Sequence, residues 1–268
     1  MIKNRIPSVE DVISRWDGVS PRMIGTYGQY GDKVRKYLIN PDIFALLKDV
    51  RGLRVLDAGC GEGYLCRLFA GSEAASVCGL DLCVPLLSRA RNLEAADPLG
   101  ISYILGDYQH MVQIKDNSFD RVVANMVLMD LPDFRSAIRE SARVLSPTGV
   151  FIFSILHPSF ITSSSDWCQT GLGSNAWTVD NYFGRQVSEQ RFASATSTYR
   201  FEADERPPFM FHRPIADYVE ALAESEFVIT GLKEAEPASI IREDADASPG
   251  EGRISWYLTI RAQKLDYR

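Results

Sequence analysis

The sequence predicts an α/β fold built on a doubly wound, mostly parallel β-sheet, and two observations carry that prediction. Between residues 54 and 156, short apolar runs alternate with amphipathic stretches of helical period, which is the rhythm of repeated strand–helix units. Runs such as "GVFIFSIL" (149–156) are almost continuously apolar instead of alternating, as expected for strands that helices cover on both faces.

Five strands and three connecting helices follow from that rhythm. We expect strands at 54–58, 76–81, 101–107, from 119 onward and at 149–156. The helices are "YLCRLFAG", "VPLLSRARNLEAA" and "DFRSAIRESARVLS". Two further runs, "FVITGLKEAE" and "RISWYLTIRAQK", close the sheet with an antiparallel last strand.

Composition divides the chain into four parts. Residues 1–50 are helical with glycine-rich breaks and form an N-terminal lid, while residues 51–156 form the ligand-binding core. Residues 157–213 are rich in Ser, Thr, Gly and aromatic side chains and exceed an ordinary connection, so we expect an inserted cap. Residues 214–268 return to the helix–strand pattern and complete the core sheet.

Charge and composition exclude several classes of partner. The chain has 268 residues and a net charge of −6, without the Lys- or Arg-rich stretches that bind a nucleic-acid backbone. No apolar run reaches membrane-spanning length, and the N-terminus lacks the apolar centre of a signal peptide. The five cysteines are odd in number and lack metal-ligand spacing, so we expect reduced thiols, no metal and a cytoplasmic protein.

The stretch "VLDAGCGEGY" (55–64) is the most informative motif in the chain. Gly59, Gly61 and Gly63 stand at alternate positions, directly after a buried strand and before a helix. Glycine permits backbone angles that other residues avoid, and it lets a ligand approach the main chain closely. A glycine-rich turn at a helix N-terminus therefore predicts a nucleotide site.

Three acids narrow the choice of ligand. Asp57, Asp81 and Asp107 each end a predicted strand, where ligands bind in an open parallel sheet. Asp81 is placed to accept hydrogen bonds from ribose hydroxyls, and Asp107 to reach the exocyclic amine of an adenine. Tyr64 stands where a dinucleotide motif carries its last glycine, and the Asp57 carboxylate would repel a pyrophosphate but attract an amino group. The ligand that fits is an adenosine with a cationic amino-acid tail, such as S-adenosylmethionine.

Several motifs together resemble the class I S-adenosylmethionine-dependent methyltransferases, in particular a bacterial group that acts on small molecules. They are "VLDAGCGEG", "GLDLC", "LGDY", "FDRVVANMVLMDLPD", "ARVLSPTGVFIFSILHPSF" and the looser "FHRPIADYVEALAESEFVITGLKEAEP". The resemblance covers residues 52–158 closely and 208–237 more loosely, and it departs at Cys83, where many relatives have Ser. It implies a Rossmann-like fold that binds S-adenosylmethionine and releases S-adenosylhomocysteine.

The resemblance assigns the cofactor-binding residues position by position. The methionine end falls to Asp57, Ala58, Gly59, Cys60 and Gly61, the ribose to Asp81 and Leu82, the adenine to Gly106, Asp107 and Tyr108, and the sulfonium to Asn125 and Met126. Tyr27 and Tyr30 belong to the N-terminal segment that folds over the cofactor in related enzymes. For these two tyrosines, contact with the cofactor or substrate and simple packing are equally open.

Two residues are candidates for the chemistry, His157 and Tyr27. A sulfonium methyl group is already activated, so a base is needed only when the acceptor must lose a proton. His157 follows the fifth strand, and Pro158 restricts it to an extended backbone that fixes the direction of its ring. We predict that His157 is a base or orients the substrate. The alternative is a hydrogen-bonded histidine that fixes the turn after the strand.

The insertion is the candidate source of a substrate pocket, because small-molecule pockets are mostly apolar and this segment is rich in aromatic residues. Phe160, Trp167 and His212 are predicted to bind substrate. A small satellite core under a long loop is the alternative for the aromatic residues, and a structural role is the alternative for His212.

The sequence favours a methyltransferase that acts on oxygen, nitrogen or carbon of a small aromatic or apolar metabolite, for instance in natural-product biosynthesis. An enzyme that binds the same cofactor but performs cyclisation or elimination stays open, and so does a non-catalytic binding module. Nicotinamide-dependent oxidoreduction is disfavoured by Tyr64 and Asp57. The oligomeric state is open, with a homodimer as one option.

Overall fold

The computed structural model describes residues 5–170, 175–190, 205–236 and 253–265. Its helices are α1 (Val9–Met23), α2 (Asn40–Leu47), α3 (Tyr64–Gly71), α4 (Val84–Ala96), α5 (Phe134–Val144) and α6 (Ile215–Glu224), with a π-helical turn at Arg35–Ile39 and a 3-10 turn at Leu128–Asp130. Its strands are β1 (Arg54–Ala58), β2 (Ser76–Asp81), β3 (Ser102–Leu105), β4 (Phe119–Asn125), β5 (Leu145–Leu156), β6 (Asp166–Gln169), β7 (Asn175–Thr178), β8 (Val187–Glu189), β9 (Phe209–Phe211), β10 (Phe227–Glu234) and β11 (Tyr257–Lys264).

Within the described residues, seven strands form one sheet in the order β10-β11-β5-β4-β1-β2-β3. Strands β1 to β5 pair in parallel, and β11 runs antiparallel to both of its neighbours. This confirms the predicted doubly wound, mostly parallel sheet with an antiparallel last strand. The strand order reverses between β1 and β4, so the carboxyl ends of these strands open onto the crevice where such sheets bind ligands.

The near-continuous apolar character of β5 is explained by burial on both faces of the sheet. Phe151 and Phe153 pack in the layer that contains Tyr218 of α6, whereas the intervening Ile152 packs in the layer that contains Phe69 of α3. All of these side chains are almost completely buried. Burying each contributes about 1.5–3 kcal/mol, so the sheet is a rigid platform for the loops at its edge.

The helices of the N-terminal segment accommodate two prolines. Helix α1 begins at a capping box between Ser8 and Asp11 and continues past Pro21 to Met23. Pro41 lies in the first turn of α2, which follows directly on the π-helical turn. Proline is tolerated in the first turn of a helix, where its missing N–H has no partner to lose.

In its described part, the inserted segment makes two small antiparallel pairs, β6–β7 and β8–β9. Helix α1 docks on the second pair through Arg15, whose guanidinium donates to Glu189 Oε1 at 2.9 Å and to the Pro207 carbonyl at 3.0 Å. The same guanidinium lies 4.6 Å from the centre of the Phe209 ring. The N-terminal and inserted segments therefore meet each other. No helix in the described ranges is long and apolar enough to cross a membrane.

Candidate active site

The glycine turn between β1 and α3 is held by the neighbouring strand β2. The N–H groups of Gly59 and Cys60 donate to the Leu80 carbonyl at 2.7 and 3.0 Å. The N–H of Gly61 donates to Asp81 Oδ2 at 2.7 Å. The acid at the end of β2 thus fixes the turn as well as facing the crevice.

The three glycines of the turn all adopt left-handed backbone angles, but their surroundings differ. Their φ values are +80° at Gly59, +55° at Gly61 and +81° at Gly63, which side-chain-bearing residues rarely adopt. A Cβ at Gly59 would collide with the Val127 side chain, and one at Gly63 with the Tyr103 hydroxyl. A Cβ at Gly61 would have no protein atom closer than 4.0 Å. Gly59 and Gly63 therefore serve internal packing, whereas Gly61 leaves its space open to a ligand.

That space belongs to a cavity at the carboxyl edge of the sheet, with about 940 Å³ of empty volume including its mouth. The predicted cofactor residues that line it are Asp57, Gly59, Cys60, Gly61, Asp81, Leu82, Gly106, Tyr108, Asn125 and Met126. Tyr27 lines it as well.

Asp57 is the clearest sign of a missing polar partner in the cavity. Its side chain is 1% exposed, and its Oδ2 accepts a hydrogen bond from the Cys66 thiol at 3.3 Å. Its Oδ1 is buried without a hydrogen-bond partner among the described residues. Burial raises the pKa of the Asp57 carboxyl to about 7. A buried acceptor without a partner is costly, so a ligand with an amino group fits this position.

Three predicted cofactor residues do not line the cavity. Ala58 is completely buried within β1. Asp107 accepts the Gln109 N–H at 2.9 Å and turns its carboxylate toward its own loop. Tyr30 is 44% exposed, and its carbonyl accepts a hydrogen bond from Asn40. Their contact with the cofactor stays a prediction.

The structure also places residues in the cavity wall that sequence reasoning missed, namely Trp16, Arg35, Glu62, Tyr64 and Asp130. Glu62 joins the lid to the core, and Arg35 packs within the lid. Glu62 Oε2 accepts the Gly25 N–H at 3.2 Å, and the Arg35 guanidinium lies 4.5 Å from the centre of the Tyr27 ring. The helical spacing of Trp16 in α1 indicates burial but not the partner surface. Glu62 and Tyr64 lie inside the motif "VLDAGCGEGY" and Asp130 inside "FDRVVANMVLMDLPD", so these motifs were a signal for them, whereas Arg35 belongs to no motif.

A buried chain of hydrogen bonds runs from the lid to the loop after β4. Asn40 Nδ2 donates to the Tyr30 carbonyl at 2.8 Å, and the Tyr64 hydroxyl donates to Asn40 Oδ1 at 3.0 Å. Asn125 Nδ2 then donates to the Tyr64 oxygen at 2.7 Å, and the Ser154 hydroxyl donates to Asn125 Oδ1 at 2.7 Å. Tyr64 is therefore the bridge between the lid and Asn125, whose side chain faces the cavity.

Met126, the next residue along, has a φ of +60°, which is strained for a residue with a side chain. Its N–H donates to the Ser154 carbonyl at 3.0 Å and to the Ser154 hydroxyl at 3.1 Å. These bonds hold the left-handed conformation that turns Met126 into the cavity.

His157 lies outside the residues that line the cavity. Its Nδ1 accepts the Ser159 N–H at 3.2 Å, so its Nε2 carries the proton and donates to Glu234 Oε1 at 2.8 Å. Its own N–H donates to the Trp256 carbonyl at 2.9 Å. The bonds to β10 and to the segment before β11 turn the ring away from the crevice. These contacts fit the alternative of a histidine that fixes the turn after β5, and its role as a base stays a prediction without geometric support.

The predicted substrate residues of the insertion lie outside the cavity wall too. Trp167 packs edge-on against Trp177, with ring centres 5.1 Å apart, and Trp177 donates to the Phe160 carbonyl at 2.8 Å. The Nε2 of His212 bonds to the Tyr182 carbonyl at 2.8 Å. These contacts describe a small satellite core, and a role in substrate binding stays a prediction.

Residues 56–153 match the family model described as a methyltransferase domain. The ubiquinone biosynthesis O-methyltransferase of Neisseria meningitidis is 33% identical over 110 residues, which cover 41% of this chain and 46% of that protein. The malonyl-(acyl-carrier protein) O-methyltransferase of Erwinia pyrifoliae is 37% identical over 121 residues, 44% of each chain. The chain thus matches slightly less than half the length of these curated relatives.

Solved structures extend the likeness over most of the chain. An S-adenosylmethionine-dependent methyltransferase from Mesorhizobium loti superposes with a TM-score of 0.68 at 27% identity, covering 84% of this chain and 96% of that one. The likeness therefore covers most of the fold that carries the cavity.

Proposed function

We propose that this chain, whose central domain belongs to the class I S-adenosylmethionine-dependent methyltransferases, transfers a methyl group from S-adenosylmethionine to a small molecule. One observation carries the proposal. Asp57, whose Oδ1 has no partner among the described residues, and Gly61, whose Cβ position is open, line the same cavity at the carboxyl edge of the sheet. An acceptor for an amino group next to a backbone that a ligand can approach matches the tail of that cofactor.

The residues present fit the rest of the cofactor. Asp81 uses one lone pair of each carboxylate oxygen for the N–H groups of Gly61 and Cys83, at 2.7 and 2.8 Å. A carboxylate offers about four acceptor sites, so Asp81 has capacity for ribose hydroxyls. Leu82 and Tyr108 supply an apolar wall for an adenine.

S-adenosylmethionine supplies an activated methyl group on a positively charged sulfur. The chain then has to orient the acceptor and exclude water, and a well-aligned pair of reactants already gains much of the rate. Asn125 and Met126 are fixed in the cavity wall by Ser154, which suits them to positioning. The contact between Glu62 and Gly25 closes the lid over the glycine turn.

The division of labour along the chain is part of this proposal. Residues 1–50 act as the lid, 51–156 as the cofactor-binding core and 157–213 as the cap, and residues 214–268 complete the core sheet.

The test begins with calorimetric titration of S-adenosylhomocysteine, and absence of binding would overturn the proposal. The protein is then incubated with methyl-labelled S-adenosylmethionine and a panel of small aromatic metabolites. We expect labelled product and S-adenosylhomocysteine in equal amounts by mass spectrometry. Cofactor binding without any labelled product favours an enzyme with other chemistry or a binding module on the same fold.

A further inference from the structure

Part of the cavity lining comes from outside the glycine turn and the strand-end acids. Helix α1 contributes Val12 and Trp16, and the loop after β4 contributes Val127, Asp130 and Leu131. Four of these side chains are apolar or aromatic, and Asp130 is the exception. This wall therefore offers an apolar surface with a single carboxylate in it.

The cap holds one oxygen of that carboxylate. Asp130 is 5% exposed, and Gln190 Nε2 donates to its Oδ1 at 2.5 Å. Gln190 is itself 2% exposed and is anchored by its N–H, which donates to the Pro208 carbonyl at 2.8 Å. Among the described residues, no side chain or backbone group donates to Asp130 Oδ2.

The loop that carries Asp130 is fixed from behind by Arg213. Its guanidinium donates to the Leu128 carbonyl at 3.2 Å, the Leu131 carbonyl at 2.6 Å and the Pro132 carbonyl at 3.1 Å. Because its donors are directed at these carbonyls, Arg213 forms no ion pair with Asp130 in the described residues. The carboxylate is held in place without being neutralised.

The other nearby cation also has its own acid. Arg35 Nη1 lies 2.9 Å from Asp32 Oδ2. Burial raises the pKa of the Asp130 carboxyl well above its usual range. A buried carboxyl without a paired cation costs free energy, and a high pKa makes it a better acceptor for a proton.

Resting on the proposed function, we propose that Asp130 is a catalytic residue that accepts the proton of an aromatic hydroxyl or aromatic amine as that group is methylated. The acceptor atom forms a bond to the methyl carbon, and the carbon–sulfur bond breaks with its electron pair remaining on sulfur. The acceptor's proton passes to Asp130 Oδ2, while Gln190 holds Oδ1. The substrate class is a small aromatic compound with O–H or N–H at the reacting atom, and Trp16 and Leu131 are the surfaces for its ring.

The test uses two probes, 1-naphthol and 1-methoxynaphthalene, in which a methyl group replaces the hydroxyl proton, titrated calorimetrically into protein saturated with S-adenosylhomocysteine. Asp130→Asn replaces an acceptor with an amide that presents a donor. We expect it to weaken naphthol binding about 10–100-fold, the usual effect of losing a hydrogen bond to a charged group, and to leave the ether unchanged. Transfer of labelled methyl from S-adenosylmethionine to naphthol should fall about 100-fold or more.

The matched control is Asp133→Asn, three residues along on the same loop. Asp133 is exposed, caps α5 by accepting the Ser136 N–H at 3.0 Å, and lies outside the cavity wall. The Asp133→Asn variant should bind both probes as the wild-type protein does. If Asp130→Asn does not fold, Gln190→Met removes the carboxylate's partner and should weaken naphthol several-fold while sparing the ether.

Failure of this inference and failure of the proposed function give different results. If S-adenosylhomocysteine does not bind the wild-type protein, the proposed function is wrong. If S-adenosylhomocysteine binds but neither probe does, the proposed role of Asp130 is wrong and the cofactor site is still supported. The same conclusion follows if the Asp130→Asn variant binds and methylates naphthol as well as the wild-type protein does. Equal weakening of naphthol and its ether also overturns it, because a lost proton acceptor affects only the probe that carries the proton.

Discussion

The two walls of the cavity are built in different ways. The cofactor wall is built on the turn that runs from Asp57 to Gly61 and on residues at the ends of the neighbouring strands, and the N–H groups of the turn are held by the adjacent strand β2. The second wall, which carries Asp130, depends on contacts between residues far apart in the chain, with Gln190 and Asp130 separated by 60 positions and Arg15 and Glu189 by 174. A wall built on the end of a rigid sheet suits an invariant cofactor, whereas a wall assembled from distant segments lets the acceptor site change without disturbing it.

The largest effect on cofactor binding is expected at Gly61, in the cofactor wall. Gly61→Val should abolish S-adenosylhomocysteine binding, with a loss of more than about 100-fold, because the side chain would fill the space that faces the ligand. Gly52→Val is the matched control, since Gly52 has a φ of +71° and open surroundings away from the cavity. In both variants a residue with a side chain must adopt the left-handed conformation, which costs about 1–2 kcal/mol or more of folding free energy. Both variants should therefore melt at a lower temperature than the wild-type protein. Equal binding by the two variants would show that Gly61 does not face the cofactor.

Asp81 ranks next, because it fixes the turn and is proposed to hold the ribose. Asp81→Ala should weaken S-adenosylhomocysteine about 10–100-fold in calorimetry, from the loss of hydrogen bonds to a charged group. Asp107→Ala is the comparison, because Asp107 ends the next strand but lies outside the cavity wall. A loss at Asp107 as large as that at Asp81 would support the adenine contact that the sequence predicts and the geometry does not show.

The pH dependence of binding isolates Asp57. With a pKa of about 7 in the free protein, Asp57 is protonated at lower pH and must ionise to accept an ammonium group. Affinity for S-adenosylhomocysteine should therefore rise with pH, by about tenfold between about pH 6 and about pH 8. Asp57→Asn should remove most of this rise, leaving any contribution from Asp81 and Glu62, whose pKa values burial also raises. A rise that persists unchanged in the variant would assign the titration to another group.

The smallest effect on cofactor binding is expected at Tyr64, which links the lid to Asn125. Tyr64→Phe removes the hydroxyl that joins Asn40 to Asn125 and should weaken S-adenosylhomocysteine by only about two- to tenfold. Its specific effect should be on the lid, where ligand-induced protection of residues 25–31 from hydrogen exchange is expected to fall. Tyr103→Phe is the control, because the Tyr103 hydroxyl is buried without a partner among the described residues. Full lid protection in Tyr64→Phe would show that the lid closes independently of Asn125.

Local sequence patterns were sufficient to predict the core. Strands β1 and β2 and helices α3 and α4 have the bounds that the apolar runs and helical periods indicated. The glycine turn could be predicted equally well, because positive φ values and the close approach of a ligand to the main chain depend on the backbone itself. The sequence could not show which of the three glycines faces the ligand. Only the positions of Val127 and Tyr103 show that Gly59 and Gly63 serve internal packing, whereas the space at Gly61 is open.

By itself, then, the sequence determined the sheet, its ligand-binding edge and the glycine turn, because these depend on periodicity and on residues close together in the chain. Tertiary structure decided which side chains complete the cavity. His157 follows β5 as expected, yet Glu234 and the Trp256 carbonyl hold it away from the crevice. Asp130 lies in the stretch "FDRVVANMVLMDLPD" and Gln190 in no motif, and only the packing of distant elements brings the two side chains together.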